Sequence, residues 1–359
     1  MSRLAILLGL VTLLTACGGG GGGGGGSSNP AAVTLGPQQL AVLYAEGDPL
    51  SESIARAYQA ARGVPAANVV GVPVDVSGDQ ISPEAFATLK AAVDARVPSG
   101  TQALLVTWGR PSRVAGACAM GLTSALAFGY DTRWCANGCG VTAASPYYDS
   151  DSHRPFTDHA MRPAMMLGAA SLAEAQTLIA RGVAADASLA SGSTAAHAWL
   201  VRTTDAARSV RYLDFEALAR TSVAGITLHY QDNAAGTGSN VVANQSGVLV
   251  YFTGLEVVPQ IATNTWLPGA AADHLTSYGG RLPDGLGQMP ATEWLKAGAT
   301  ATYGTVDEPC ALTDKFPRAS VLVKRYRAGD TLLEAYWKSV RWPGQGLFLG
   351  EPLARPYSP

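Results

Sequence analysis

The densest run of chemistry-bearing residues in this sequence is Asp273-His274-Leu275-Thr276-Ser277-Tyr278-Gly279-Gly280. A hydroxyl nucleophile needs a base within hydrogen-bond reach and an acid to orient that base, and Ser277, His274 and Asp273 are the required types. Residues three apart face one another on a helix but point to opposite sides of a strand, so the spacing nominates these residues without fixing their contact. The competing reading is that Ser277 and His274 hydrogen-bond to backbone in a turn; no Gly-x-Ser-x-Gly elbow is present to favour catalysis. Gly279-Gly280 allows a sharp turn at the end of the segment.

A second cluster is Thr305-Val306-Asp307-Glu308-Pro309-Cys310. Glu308 is a candidate general acid or base, or a cation ligand together with Asp307; the blander expectation pairs it with Arg110 or Arg113. Cys310 is a candidate nucleophile provided that it stays reduced near His274, because thiolate chemistry needs a lowered pKa. Tyr147-Tyr148-Asp149-Ser150-Asp151-Ser152-His153 and Asp158-His159 offer oxygens to a hard cation, but the Asp-Ser-Asp spacing lacks the rest of a calcium loop and reads better as a solvated aromatic loop. Gly109-Arg110-Pro111-Ser112-Arg113 places two guanidiniums after a strand, where they suit a carboxylate, a phosphate or structural pairing. Gly236-Thr237-Gly238-Ser239 lacks the Lys-Ser/Thr ending of a phosphate loop, so no cofactor is expected.

The elements that must position these residues alternate along the chain. Strand-length apolar runs at 40–44, 68–76, 102–108, 198–202, 225–230, 248–253, 299–303 and 346–349 are interleaved with helical spacing at 51–62, 83–96, 171–185, 209–222, 290–297 and 331–340. Ser51 and Ser82 serve as expected N-caps, and Gly63 ends the first helix. This rhythm predicts an α/β fold, a three-layer αβα sandwich on a mainly parallel sheet. Positions 109–163 break it with Gly, aromatic, Cys, Asp and His residues, too long for a passive connection, with a short helix at 123–128.

The first residues carry an address. Met1 to Ala16 has Arg3, an apolar core from Leu4 and small residues before Cys17, which fits a secretory signal. Leu14-Thr15-Ala16-Cys17 resembles a bacterial lipobox, which implies lipidation of Cys17 and attachment of the protein to a membrane through that lipid. Gly18 after the cysteine resembles lipoproteins sent to the outer membrane, so a cell-envelope location is expected. Residues 17–32, with the glycine run Gly18 to Gly26, form a tether, and a single body occupies 33–359. In an oxidising compartment Cys118, Cys135, Cys139 and Cys310 are expected to form up to two disulfides, with three possible connectivities. Cys135-x3-Cys139 upstream of His153 and His159 departs from Cys-x2-Cys spacing, so no metal site is expected.

Composition narrows the partners. The 359 residues are 47% hydrophobic and carry 25 Lys+Arg against 27 Asp+Glu without a basic stripe, which argues against nucleic acid as a partner. No apolar run reaches the roughly 18 to 20 residues of a membrane span.

The C-terminal third, at about 247–359, resembles the latter half of a gingipain-like, caspase-type peptidase domain. The resemblance rests on VLVYFTGLE, HLTSYGG, KAGATATYGTVDEP, GDTLLEAYWKSV and GEPLARP, in that order. It implies a strand ending in Gly-His and a following strand ending at a catalytic Cys. This chain has Leu255 after Gly254, and Ser277 and Tyr278 where the Cys is expected. Across the mature chain, DPLSESIARAYQAARGVP, MRPAMMLGAASLAEAQTLIARGV, LPGAAADHLTSYGG and TVDEPCALTDKFP are similar to a bacterial family found beside exosortase protein-sorting systems. The expected function is a non-catalytic binding or accessory factor with an envelope protein or polysaccharide as partner. The alternative is a peptidase-like hydrolase rebuilt around His274, Ser277, Glu308 and Cys310.

Overall fold

The computed structural model describes residues 34–358, so the expected signal segment, Cys17 and the tether lie outside the described residues. The chain runs β1 (Leu40–Ala45), α1 (Pro49–Arg62), β2 (Val69–Val72), β3 (Gln80–Ile81), α2 (Pro83–Arg96) and β4 (Ala103–Val106). The long irregular segment then holds β5 (Arg113–Ala115), β6 (Ala119–Gly121), α3 (Leu122–Phe128) and α4 (Pro155–His159). Beyond it come β7 (Ala164–Met166), α5 (Leu172–Ala185), β8 (Ala196–Arg202), α6 (Tyr212–Ala219), β9 (Ile226–Asp232), β10 (Val248–Thr253) and β11 (Trp266–His274). The last elements are α7 (Thr292–Ala297), β12 (Ala301–Thr305), α8 (Ala319–Arg327), α9 (Leu332–Ser339) and β13 (Gly346–Gly350). Among the described residues no helix is long and apolar enough to cross a membrane.

Ten strands form one sheet in the order β2-β1-β4-β7-β13-β12-β11-β10-β8-β9, and β3, β5 and β6 form a small second sheet. Outside β13, neighbours in the large sheet pair parallel; β13 pairs antiparallel with β12 from Ala301↔Gly350 to Thr305↔Gly346 and touches β7 at one bridge, Leu349↔Met166. The crossover helices fix the strand directions: α1 and α5 start at the C-terminal ends of β1 and β7, and their far ends reach the start of β12, where Arg62 pairs with Glu351, Glu351 N donates to Thr300 O and Arg181 donates to Ala299 O. The C-terminal ends of β1, β4, β7, β8, β10, β11 and β12 therefore share one edge of the sheet, where Leu282 N beyond β11 donates to Ser112 Oγ beyond β4. Open α/β sheets place ligands at such an edge; here its β8-to-β12 half and its β1-β4-β7 half differ.

Helices cover both faces, as expected for an αβα sandwich. Consecutive residues of β10 show the alternation: the Tyr251 ring meets Trp294 of α7 at 5.1 Å, while Phe252 on the opposite face lies 5.4 Å from the Arg211 guanidinium. Every residue of β10 is buried, which is the signature of a strand covered on two sides. Residues 225–230 and 299–303 begin as strands one and two positions later than the sequence spacing indicates, and 68–76 is a strand only at 69–72.

Local chemistry sets the helix starts. Asp48, with Pro49 behind it, caps α1 by accepting from Leu50 N at 3.1 Å, so the expected Ser51 cap is corrected. Ser51 is instead buried, accepting from Ala45 N at 3.0 Å and facing Thr107 Oγ1 at 2.9 Å. Ser82 caps α2 as expected, accepting from Ala85 N at 3.2 Å. Gly280 answers to close approach rather than to a sharp turn: a Cβ there would sit 2.4 Å from Gly304 O, and its φ is not positive.

Candidate functional site

The half of the edge formed by β8, β10, β11 and β12 holds most of the residues singled out by sequence. Asp273 and His274 end β11 fully buried. Asp273 forms an ion pair with Arg211, which precedes α6 and also donates from Nη2 to Thr253 O at 2.6 Å. Burial raises the Asp273 carboxyl to about 6 against the lowering effect of Arg211. His274 is committed on both sides. Its Nδ1 accepts from Trp294 Nε1 at 2.9 Å and its Nε2 donates to Met289 O at 3.1 Å, which fixes one neutral tautomer. Burial lowers its pKa to about 3.

These contacts separate the residues that the local spacing grouped. Asp273 orients Arg211, not His274, and neither nitrogen of His274 is available to take a proton from Ser277. Ser277 is half-buried and held through its carbonyl, which accepts from Thr305 Oγ1 at 2.9 Å. Gln288 Oε1 ties the same turn by accepting from Thr276 Oγ1 at 2.7 Å and Tyr278 N at 2.8 Å. The triad reading of Asp273, His274 and Ser277 is thus replaced by three separate structural roles.

The second cluster is closed by covalent and ionic bonds. Cys310 is bonded to Cys139 and Cys118 to Cys135, so the expected two disulfides form and Cys310 carries no thiolate. Glu308 Oε1 accepts from Cys310 N at 2.7 Å, capping the turn that carries Cys310 and Ala311 at φ of 56° and 53°. Asp307 pairs with Arg281 at 3.2 Å. The expected Glu308 partners are elsewhere: Arg110 lies 3.6 Å from Asp79, and Arg113 donates to Gln80 Oε1 at 2.9 Å. Lys315, which has no distinguishing signal in the sequence, is fully buried here without a hydrogen bond from its Nζ among the described residues. Burial lowers its pKa to about 8, with Asp307 and Glu308 acting in the opposite direction.

The aromatic loop is tied down rather than solvated. Asp149 and Asp151 both engage Arg325, and His153 Nδ1 lies 2.8 Å from Glu334 Oε1. His153, Asp330 and Glu334 bring three ligand-type atoms within 4.8 Å of one another. Lys338, fully buried, already serves those carboxylates, with Nζ 2.8 Å from Asp330 and 3.9 Å from Glu334. A hydrogen bond to Glu334 raises the His153 pKa. The protein's own Lys338 is a cation held beside these two buried carboxylates.

The other half of this edge is open. A cavity of about 450 Å³ lies at the ends of β1, β4 and β7, with Asp48, Trp108, Arg110, Gly168 and Glu174 among its walls. A second cavity, of about 480 Å³, adjoins it between α5 and α7 and shares Gly168 and Glu174 with it. Of this region, only Gly109 and Arg110 belong to a segment whose sequence suggested chemistry. Arg181 and Lys296 carry no sequence signal, since each reads as an ordinary charge on a surface helix.

Fold and site together define an α/β sandwich protein whose sheet edge is closed on one half and open on the other. Comparison with protein families, with curated proteins and with solved structures finds no match.

Proposed function

We propose that this chain is a lipid-anchored binding or accessory factor of the cell envelope, built on a caspase/gingipain-like domain that has exchanged chemistry for structure. One observation carries the reading. The two positions where the resemblance implies a dyad, after Gly254 on β10 and at Ser277-Tyr278 after β11, follow neighbouring parallel strands in register at Thr253↔His274. Leu255 occupies the first, and at the second both nitrogens of His274 are committed and no hydrogen bond joins the Ser277 hydroxyl to a base among the described residues. The strand order β9-β8-β10-β11-β12 with antiparallel β13 supports the same reading, because both positions fall at one edge. Two disulfides support an oxidising compartment, and the Cys17 lipobox supports attachment to a membrane.

The test is active-site labelling of the purified mature protein. Fluorophosphonate and peptidyl chloromethyl ketone probes are expected to leave it unlabelled. Labelling of wild type that disappears in Ser277→Ala would establish the rebuilt hydrolase instead. For the anchor, Cys17→Ser is expected to move the protein from the membrane fraction to the soluble fraction, and continued sedimentation with membranes would refute lipidation at that residue.

A further inference from the structure

Several arginines buried or half-buried in this fold sit against carboxylates: Arg62 against Glu351 and Asp186, Arg211 against Asp273, Arg325 against Asp149. Arg113, Arg327 and Arg355, half-buried without an ion pair among the described residues, donate to Gln80, Ala224 O and Thr34. Arg181 on α5 lacks a carboxylate too, and it lines a cavity. Its Nη1 donates to two backbone carbonyls, Leu295 O at 3.1 Å and Ala299 O at 2.5 Å, and no carboxylate pairs with it among the described residues. Those carbonyls hold the guanidinium in place and consume one nitrogen, leaving the donors of Nε and Nη2. Burial disfavours its charge and no anion offsets that effect.

This half-buried cation lines the 480 Å³ cavity between α5 and α7, a volume that suits a single small molecule. Leu178 and Leu295 supply apolar wall, and Thr177 and Thr292 supply hydroxyls. Lys296 also lines the cavity, but Glu293 neutralises it at 2.7 Å. At the Arg181 end one positive charge remains, answered within the cavity only by Glu174 at its other end, which matches a monoanion better than a phosphate dianion. Glu174 lies on the same helix seven positions before Arg181, about 10 Å along the axis at 1.5 Å per residue. Its carboxylate repels polyanions and accepts donors from the far end of a ligand.

We propose that the α5–α7 groove is a binding site for an elongated small molecule with a terminal carboxylate, anchored by a side-on, two-donor contact from Arg181. The fork of Nε and Nη2 is the geometry that reads a carboxylate. A short peptide with a free C-terminus and a uronic-acid oligosaccharide both present this group together with donors at the opposite end. A tripeptide spans about 10 Å when extended, the separation between Arg181 and Glu174 along α5. The site deepens the binding reading given above and rests on it.

Calorimetric titration of the full mature chain with trialanine, trialanine amide and digalacturonate tests this. Trialanine or digalacturonate is expected to bind, with about tenfold or greater weakening in Arg181→Gln, the scale of a charge-assisted contact. Binding of trialanine but not of digalacturonate assigns the site to peptides, and the reverse assigns it to acidic sugars. Trialanine amide should lose the same factor if the peptide is the ligand. Because Arg181 also braces two carbonyls, Thr177→Glu provides a second variant: it sets a carboxylate one helical turn from Arg181 at an exposed position and should abolish binding with the melting temperature unchanged. No binding by either carboxylate, or binding indifferent to both variants, overturns the site. That failure leaves the non-catalytic reading standing, whereas probe labelling at Ser277 overturns the non-catalytic reading and leaves the groove to be judged by its own titration.

Discussion

The two halves of the sheet's C-terminal edge are built from the same kind of parts, parallel strands with loops at their ends, yet they end in opposite states. At the β8-β10-β11-β12 half, the closed edge, the polar side chains are spent on the protein itself: Arg211 on Asp273, Trp294 and Met289 on His274, Glu308 on the Cys310 turn. At the β1-β4-β7 half, the open edge, the loops leave a cavity, and a second adjoins it between α5 and α7 with a guanidinium that has no carboxylate among the described residues. A density of catalytic residue types therefore marks the closed edge, and a shortage of partners marks the open one. Residue type alone does not tell the two apart.

The most damaging way to break the closed edge is through its covalent clamp. Cys139–Cys310 closes a sequence separation of 171 residues, against 17 for Cys118–Cys135. In the chain-entropy account, removing the long-range bridge costs about 5 kcal/mol and the local one about 3. Cys139 is exposed, whereas Cys118 and Cys135 are buried, so a mild reductant should open the long bridge first. Mass spectrometry after graded reduction and alkylation checks the order. Equal reactivity of all four cysteines would show that the clamp does not define this edge.

Next in size is the buried ion pair. Arg211→Met leaves Asp273 fully buried without its cation and is expected to cost about 3 to 5 kcal/mol in urea unfolding at neutral pH. A loss below about 1 kcal/mol would mean that water reaches the carboxylate and the edge is not closed.

A third effect concerns pH, and the two neighbours on β11 act in opposite senses. Asp273 has a folded pKa of about 6, raised above the ordinary carboxylate value of 3.8, so its contribution to stability is full below 3.8 and is lost as pH rises to 6. His274 has a folded pKa of about 3, depressed from 6.5, so its contribution is full above 6.5 and is lost as pH falls. Between pH 4 and 6 the two slopes, each about 1.4 kcal/mol per pH unit, oppose one another. The stability of wild type relative to Asp273→Asn should therefore fall across that window as pH rises, and relative to His274→Leu it should rise. Urea titrations at three pH values check the signs; parallel curves would remove the burial argument for both residues.

How much of this was legible in the sequence follows from where each cause lies. Strand β10 was readable because VLVYFT is apolar and β-branched throughout, and α2 because Ser82-Pro83 starts it locally. Strand β11 was not, since WLPGAAADH contains Pro, Gly and small alanines and becomes a strand only between β10 and β12. The reversal of β13 was invisible because a period of two carries no direction. The candidate site failed for the same reason. The fate of His274 is decided by Trp294, twenty residues on, and the free state of Arg181 by carbonyls more than a hundred residues away. The disulfide count was legible because the parity of four cysteines is a global property, whereas their pairing, Cys118–Cys135 and Cys139–Cys310, depends on the fold.

The smallest effect compares one helix cap from each kind of environment. Ser171 starts α5 at the open edge, where its hydroxyl accepts from Glu174 N at 3.2 Å beside solvent. Thr331 starts α9 fully buried: it accepts from Glu334 N at 3.3 Å, and its own N and Oγ1 donate to Glu334 Oε2 at 2.9 and 3.0 Å. Truncation at Ser171 leaves an amide that water can satisfy, so Ser171→Ala should cost about 0.5 to 1 kcal/mol. Truncation at Thr331 strips a donor from a buried carboxylate, and Thr331→Ala should cost about 2 kcal/mol. The expected gap of about 1 kcal/mol is measurable as a shift in urea midpoint at constant slope. Equal costs would mean that α9 opens to solvent as readily as α5, and the contrast between a committed interior and an open edge would then be one of side-chain geometry rather than of local stability.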